Sequence, residues 1–188
     1  MDVLIVGAGG HGRSVAEAIL LGGTHRVIGF FDDAWPDLKD VCGCPVLGKL
    51  SELKGSREYA SHVIVAIGNN AIRERLYARI LASDLALATV VHPKAIVSPR
   101  AVLGAGCAVM AGAVVGTEAR LGQGVIVNCN ATVDHQCIVN DFGHLGVNAC
   151  MAGGAVLGRG AWMQAGSALG YGVVVPAESV LIPGESRV

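Results

Sequence analysis

From residue 97 onward, a large aliphatic residue recurs at every sixth position of the chain. The positions are Val97, Leu103, Val109, Val115, Leu121, Val127, Val133, Val139, Leu145, Met151, Leu157, Met163, Leu169, Val175 and Leu181. An α-helix does not have a period of six, and the abundant glycines would break one. A short strand followed by a tight corner does fit this period, with the aliphatic side chain pointing inward. Three such sides close a coil of about 18 residues, so residues 95–184 predict about five stacked coils of a hexapeptide β-helix.

The first 90 residues have a different pattern, in which apolar strands alternate with amphipathic helices. "VLIVGAGG" is a buried strand entering a glycine turn, "RVIGFFDD" and "HVIVAIGNN" are further strands, and "LALATVVHP" is the last. "HGRSVAEAILLGG" and "AIRERLYARILA" are helices. This alternation predicts a small parallel α/β domain. We therefore predict a Rossmann-like domain over residues 1–92 and a β-helix domain over residues 93–188, joined at His92-Pro93.

Composition and charge narrow the classes of function. The chain has 14 Lys+Arg and a net charge of −1, so it lacks the basic surface that binds nucleic acid or anionic membranes. "MDVLIVGAGG" has neither a basic start nor an apolar run long enough for a signal peptide or a membrane span. We expect the six cysteines to be buried thiols in a reducing cytoplasm, and we expect no metal site.

A glycine motif in the first domain indicates a nucleotide site. Gly7, Gly9 and Gly12 have the G-x-G-x-x-G spacing between a strand and a helix. Asp32 and Asp33 end the next strand, about 20 residues after the last glycine. Such glycines admit a diphosphate to the helix N-terminus, and the carboxylates accept hydrogen bonds from a ribose or base. The alternative interpretation is a tight turn without a ligand.

The size of the first domain bears on the ligand. NAD requires two mononucleotide-binding halves, and 90 residues supply little more than one. A single nucleotide or a nucleotide sugar is the better prediction. Residues 68–70, "GNN", end another strand at the carboxyl edge of the sheet, where such ligands bind.

The stretch "TVDHQCIV" carries the most conspicuous polar group of the repeat. Val133 points inward, so His135 lies at or near a corner and is accessible. An imidazole there predicts a catalytic role, and the alternative is a solvated or capping histidine. His144 lies half a coil further on, so the two histidines face one point only across neighbouring prisms. Two histidines are too few for a three-histidine metal site.

Together with these features, a series of motifs resembles the PglD/NeuD family of sugar acetyltransferases, which are left-handed β-helix enzymes with a Rossmann-like N-terminal domain. The motifs follow in order over nearly the whole length. They are "VGAGGHG", "FFDD", "GCPVLG", "VAIGNNAIRERL", "HPKAIVSPRAVLGAG" and "VDHQCIVNDFGHLGVNACMAGGAVLG".

The resemblance implies a substrate site in the first domain. A nucleotide-linked amino sugar would have its diphosphate near the glycine turn and its base or ribose near the two carboxylates. The implied substrate-binding residues are Gly9, Gly10, His11, Asp32, Asp33, Gly68 and Asn69.

The resemblance also implies that acetyl-CoA, a co-substrate, lies in a groove between adjacent prisms of a homotrimer. His135 would be the general base, with Gln136 beside it. The implied cofactor-binding residues are His144 at the acetyl end and Gly153 and Ala165 along the groove.

The implied activity is N-acetylation of a nucleotide-linked amino sugar, of the UDP-4-amino-4,6-dideoxy type, for bacterial surface glycans. Direct attack of the amine on the thioester needs no covalent enzyme intermediate. O-acetylation of a sialic acid is an alternative within the family. An alternative of another class is a non-catalytic, trimeric subunit that binds nucleotide sugars.

Two features depart from the family pattern. An Asp or Glu usually follows the catalytic histidine, whereas this chain has Gln136. An amide does not stabilise an imidazolium by charge, so we expect His135 to be a weaker base or Asp134 to act as a substitute. The family also usually carries a G-[VN]-P-A segment after the last coil, whereas this sequence ends in "PGESRV". We therefore expect the CoA adenine end of the site to differ.

Overall fold

The computed structural model describes residues 1–83 and 85–188, without the side chains of residues 54–57. The first domain is a mainly parallel sheet with two α-helices. Its strands are β1 (Asp2–Val6), β2 (Arg26–Phe31), β3 (Asp40–Val41), β4 (Cys44–Gly48), β5 (His62–Val65) and β6 (Ala86–Leu87). Its helices are α1 (Gly10–Gly22), a 3₁₀ helix (Leu50–Glu58) and α2 (Asn70–Leu81).

The sheet has the order β3-β4-β2-β1-β5-β6, with β1 at its centre. Every residue of β1 after Asp2 is apolar and buried, which is typical of a strand that is covered on both faces. Helix α1 packs Val15 and Ile19 onto the core, which contributes about 2 kcal/mol for each side chain. The helix ends as predicted, at Gly23 in the left-handed conformation. The small antiparallel pair of β3 and β4 was not predicted.

The second domain is the predicted left-handed parallel β-helix, whose two-residue strands form three faces of a triangular prism. Face 1 contains β7 (Val90–Val91), β10 (Ala108–Val109), β13 (Ile126–Val127), β16 (His144–Leu145), β19 (Trp162–Met163) and β22 (Val180–Leu181). Face 2 contains β8 (Ile96–Val97), β11 (Val114–Val115), β14 (Thr132–Val133), β17 (Cys150–Met151), β20 (Ala168–Leu169) and β23 (Ser186–Arg187). Face 3 contains β9 (Val102–Leu103), β12 (Arg120–Leu121), β15 (Ile138–Val139), β18 (Val156–Leu157) and β21 (Val174–Val175).

The strands of each face pair in parallel with a register of 18 residues, as Val109 with Val127 and Val127 with Leu145. The second residue of nearly every strand points into the prism and is one of the predicted aliphatic positions. From the second coil upward these side chains are at most 3 % exposed. Val97 and Leu103, in the first coil, are partly buried. The hexapeptide prediction is therefore confirmed.

One predicted strand is divided between the two domains. Within "LALATVVHP", β6 pairs with β5 of the first sheet, whereas β7 pairs with β10 of the prism. The prism therefore begins before His92-Pro93, because Val90 already meets the hydrogen-bonding pattern of the coil above it. The division of the chain into domains at residues 92 and 93 stays a prediction.

The first domain covers the lower part of face 1. The outward residues Val90, Ala108 and Ile126 belong to one buried cluster with α1 and β1. Helix α2 packs along the edge between faces 3 and 1, where Tyr77 meets the ring of Phe142 edge-on at 5.2 Å. Higher on face 1, Trp162 and Val180 are exposed. This partial cover creates a junction between the domains.

Candidate active site

His135 lies at the tip of the turn that joins β14 to β15, on the edge between faces 2 and 3. The backbone N–H of Cys137 donates to the carbonyl of Asp134 (3.4 Å), and Gln136 has a left-handed φ of 59°. In such a turn the second residue points away from the core, and the His135 side chain is 46 % exposed. The predicted accessibility is confirmed, and the catalytic role stays a prediction.

Two neighbouring side chains hold the His135 ring from opposite sides. Nδ1 lies 3.3 Å from Oε1 of Gln136. An amide oxygen only accepts, so this contact places the proton on Nδ1 and leaves the lone pair of Nε2 free. Asp134 accepts a hydrogen bond from the backbone N–H of His135 (2.7 Å), and its other oxygen lies 3.8 Å from Nε2. The carboxylate is thus close enough to stabilise a proton that arrives on Nε2.

Gly153, one coil above, provides the space for the ring. A Cβ on residue 153 would lie 2.5 Å from Nε2 of His135, so any side chain there would displace the ring. The backbone N–H of Gly154 also donates to the carbonyl of His135 (3.0 Å). Gly153 was predicted to line the cofactor groove, and in this chain it is in contact with the candidate base.

His144 has a quite different environment, at the junction between the domains. It is 7 % exposed, stacks on Trp162 with ring centroids 5.6 Å apart, and shares a hydrogen bond through Nδ1 with the carbonyl of Gly68 (3.1 Å). Burial, with smaller contributions from the charges of Arg73 and His11, lowers its pKa to about 3. His144 is therefore a neutral hydrogen-bonding residue at ordinary pH.

Ala165 lies on a third part of the prism. It is an exposed residue in the turn between β19 and β20, on the edge between faces 1 and 2. His135 occupies the edge between faces 2 and 3, so one chain does not bring the two residues together. Ala165 and His135 contribute to one groove only if a neighbouring prism closes it.

The predicted glycine turn precedes α1 with its amide groups available. Gly9 is the N-cap of α1 and provides no side-chain cap, and both Gly9 and Gly10 are exposed. Gly12 must be glycine, because a Cβ there would overlap the carbonyl of Gly7. An exposed helix N-terminus with free N–H groups is suited to a phosphate.

The two carboxylates after β2 accept hydrogen bonds from different parts of the first domain. Asp32 accepts hydrogen bonds from the backbone N–H groups of Ala8 (2.7 Å) and Ala34 (2.9 Å), so it braces the glycine turn. Asp33 accepts from the backbone N–H of Leu50 (3.1 Å). Both were predicted to contact a base or ribose, and this role stays a prediction. What the structure shows is that Asp32 also holds the turn in shape.

His11, in the first turn of α1, is the third predicted residue near the diphosphate. Its Nε2 is buried without a hydrogen-bond partner. Burial and then the charge of Arg73 lower its pKa to about 4. The ring therefore carries a buried, neutral nitrogen without a hydrogen-bond partner in the first turn of α1.

Arg73, which was not among the predicted site residues, holds this junction together. The side chain is 1 % exposed, and it donates to the carbonyls of Gly124 (2.7 Å) and Phe142 (2.7 Å) in the prism. It also donates to the carbonyls of Ile67 (3.0 Å) and Gly68 (3.2 Å) in its own domain. Burial lowers its pKa to about 10. The available signal was its position on the apolar face of α2.

Gly68 and Asn69 lie at the N-terminus of α2, where they border a cleft of about 380 Å³. The side chain of Asn69 caps the helix by accepting from the backbone N–H of Ile72 (3.0 Å). Asn70, which was not singled out, donates across the junction to the carbonyl of Gly160 (2.8 Å). His144 and Trp162 line the opposite wall of the cleft. The two predicted groups of residues, Gly68 with Asn69 and His144, thus meet here.

The cysteines differ from expectation. All six are free thiols, but only Cys107 and Cys137 are buried, and Cys42 and Cys150 are exposed. The exposed Cys150 is the outward residue of β17, a position that the repeat does not bury. No cluster of His, Cys, Asp and Glu suited to a metal ion occurs among the described residues. Within the same residues, no helix is long and apolar enough to cross a membrane.

Comparison with known proteins identifies proteins that this chain resembles. The PglD N-terminal domain family matches residues 2–80. UDP-N-acetylbacillosamine N-acetyltransferase of Bacillus subtilis (strain 168) is 34 % identical over 116 residues, which are 58 % of this chain and 51 % of that protein. The match thus spans about half the length of this curated relative.

Two solved structures extend the likeness to the whole chain. A mutant of GDP-perosamine N-acetyl transferase from Caulobacter crescentus, in complex with CoA and GDP-perosamine, is 33 % identical with a TM-score of 0.95, over 100 % of this chain and 89 % of that one. This chain belongs to the PglD/NeuD family of sugar acetyltransferases. The second structure, the acetyltransferase domain of PglB from Neisseria gonorrhoeae FA1090 in complex with acetyl coenzyme A, is 35 % identical with a TM-score of 0.75, over 99 % of this chain and 93 % of that one.

Gln136 is the residue at which this sequence departs from the pattern that the resemblance implies. The structure shows how the corner accommodates it. The amide of Gln136 lies at Nδ1 of His135, and the carboxylate of Asp134 lies on the side of Nε2. The two alternatives expected from Gln136, a weaker base at His135 or Asp134 as a substitute acid, stay predictions.

Proposed function

We propose that this protein transfers the acetyl group of acetyl-CoA to the amine of a nucleotide-linked amino sugar. The observation that carries the proposal is the His135 corner: a half-exposed imidazole with Nε2 free, seated on a residue that has no side chain. Two of the relatives named above, from Bacillus subtilis and Caulobacter crescentus, are N-acetyltransferases by name, and their names include a UDP-linked and a GDP-linked amino sugar. The names of these relatives favour N-acetylation over O-acetylation of a sialic acid.

The proposed mechanism is direct transfer with His135 as general base. The amine attacks the thioester carbonyl while Nε2 takes a proton from the amine nitrogen. The C–N bond forms, the C–S bond breaks, and CoA leaves as a thiolate that recovers the proton from the imidazolium. Asp134 stabilises the imidazolium in the interval, because its oxygen lies 3.8 Å from Nε2.

The nucleotide part of the acceptor is proposed to bind at the first domain. The exposed N–H groups at Gly9 and Gly10 suit the diphosphate, and His11, whose Nε2 is buried without a partner, follows them in the same helix. Asp32 and Asp33 are proposed to approach the ribose or base, and Gly68 and Asn69 to border the sugar. Binding at the domain junction would bring the acceptor close to the prism.

The active protein is proposed to be a homotrimer. The support is geometric: His135 and Ala165 lie on different edges of one prism, and a neighbouring prism is needed to join them in one acetyl-CoA groove. The outward residues of face 3 supply apolar surface for such contact, since Val102, Ile138 and Val174 are exposed. We also propose a cytoplasmic location and a role in surface glycan synthesis, consistent with the free thiols and with the co-substrate.

Thiol release from acetyl-CoA tests this function, with UDP- and GDP-linked amino sugars and free sialic acid as acceptors. We expect release with an amino-sugar nucleotide and a loss of about 10²- to 10⁴-fold in His135→Ala. His62→Ala is the matched control, since His62 lies at the amino end of β5, away from the glycine turn. Release with sialic acid alone would establish O-acetylation. Binding of nucleotide sugar without any release would establish the non-catalytic subunit instead.

A further inference from the structure

Glu118 lies directly below Gln136 in the prism. The two residues are one 18-residue coil apart, and each is the third residue of its turn, with φ of 60° and 59°. This register places the side chains in one column on the edge that carries His135. Nε2 of Gln136 donates to Oε2 of Glu118 at 3.4 Å. Below them, Nη1 of Arg100 lies 3.8 Å from the other oxygen of Glu118.

In this column, the hydrogen bond between Glu118 and Gln136 determines which end of the Gln136 amide faces His135. A carboxylate only accepts, so Glu118 requires the amino group of Gln136 to point toward it. The oxygen of the same amide then points toward His135, where it accepts from Nδ1. Arg100, which only donates, has its charge on the side of Glu118 away from Gln136. Asp134 is the other charged group beside the ring, and it lies at Nε2.

We propose that Glu118 is a positioning residue that sets the tautomer of His135 by orienting the Gln136 amide. The residue after His135 is an amide, whose two ends are interchangeable in shape and opposite in hydrogen-bonding character. Glu118 removes that ambiguity from one coil away. The inference rests on the proposed function, since the tautomer matters only if Nε2 is the base.

The chemical consequence follows from the direction of proton transfer. With Nδ1 protonated, Nε2 accepts the proton of the attacking amine, and the resulting imidazolium still donates to Gln136. With the amide reversed, its amino group would face Nδ1, the ring proton would move to Nε2, and the base would be blocked. A hydrogen-bond donor at position 118 should therefore reverse the Gln136 amide and move the ring proton of His135 from Nδ1 to Nε2.

The test is Glu118→Lys, because lysine only donates. We expect the ¹⁵N spectrum of His135 to change from the Nδ1–H to the Nε2–H tautomer, and kcat to fall about tenfold with little change in the KM for acetyl-CoA. Asp2→Lys is the matched control, since Asp2 is also a surface carboxylate paired with an arginine, Arg26, far from the corner. Equal tautomers in wild type and Glu118→Lys would overturn the proposal.

A second substitution separates positioning from a general loss of structure. Gln136→Glu restores an acceptor-only group beside Nδ1, so in the Glu118→Lys background it should return the Nδ1–H tautomer and most of kcat. Failure of this rescue would also overturn the proposal. The spectra decide the role of Glu118 even if no acceptor releases thiol, so an inactive wild type would refute the proposed function alone.

Discussion

The His135 corner and the domain junction around His144 show how one repeat produces two kinds of histidine. The two residues are nine positions apart in the same prism. His135 lies in a turn and is half exposed, whereas His144 lies on a strand beneath the first domain and is buried. The difference teaches that the repeat decides which way a side chain points, and the covering domain decides whether water reaches it.

The two sites also differ in how their charges are arranged. At the corner, carboxylates surround the imidazole at Asp134 and, through Gln136, at Glu118. At the junction, His11 and His144 share their surroundings with the cation Arg73, which lowers the pKa of both rings in addition to burial. The junction is therefore suited to neutral hydrogen bonding, whereas the charges beside the His135 ring are carboxylates.

The largest effect should come from removing the cation at the junction. Arg73→Met would leave buried carbonyls of both domains without donors, so we expect a loss of about 3 kcal/mol in the free energy of unfolding. Arg75→Met, two residues along the same helix and exposed, is the matched control. The measurement is urea unfolding of both variants. Equal losses in the two would show that Arg73 does not join the domains.

A smaller effect should come from adding a single methyl group at the corner. Gly153→Ala would place a Cβ 2.5 Å from Nε2 of His135 and displace the ring. A displacement of the ring by about 1 Å costs about 100-fold in kcat. We expect little loss in the free energy of unfolding. Steady-state thiol release and thermal unfolding measure the two quantities.

Gly22→Ala is the control for that change, because a Cβ at the end of α1 meets open space. If Gly153→Ala retained wild-type kcat, the position of the His135 ring over Gly153 would not be the one used in catalysis.

The smallest effect should appear as a dependence of stability on pH. The pKa of His144 is about 3 in the folded protein and has an ordinary value of 6.5 in the unfolded chain. Between pH 3 and pH 6.5, unfolding is coupled to the uptake of a proton by His144. The free energy of unfolding therefore falls as the pH falls below 6.5. At pH 5 this loss is about 2 kcal/mol relative to pH 8. His11, with a folded pKa of about 4, acts in the same direction.

His144→Phe removes the contribution of His144 to this loss. The variant keeps an aromatic ring beside Trp162 but gives up the hydrogen bond to Gly68, so at pH 8 it should be less stable than wild type by about 1 kcal/mol. At pH 5 the order should reverse. Urea unfolding at the two pH values measures the crossing, and a constant difference between the proteins would contradict the assigned burial.

Much of the fold was predictable, because it depends on local patterns. The period of six identified the inward residues, and Gly22-Gly23 identified the end of α1. The boundary between the domains was less predictable, since Val90–Val91 is an apolar strand that suits either sheet. Only its pairing partner, β10, decides where it belongs.

The candidate site was predictable in part for the same reason. The accessibility of His135 follows from its distance to Val133 within one repeat. The cover over His144 and the bracing of the glycine turn by Asp32 do not, because they depend on chain segments more than 20 residues away. Glu118 was not found, although its distance of one coil from Gln136 was a usable signal.

By itself, the sequence determined the class of fold, the inward face of each coil and the corner on which His135 lies, because these depend on residue spacing. The tertiary structure alone decided which histidine is buried, which carboxylates face the imidazole and how Arg73 joins the domains. The physical reason is that burial and electrostatics depend on which surfaces meet, and that packing brings together residues that no local period relates.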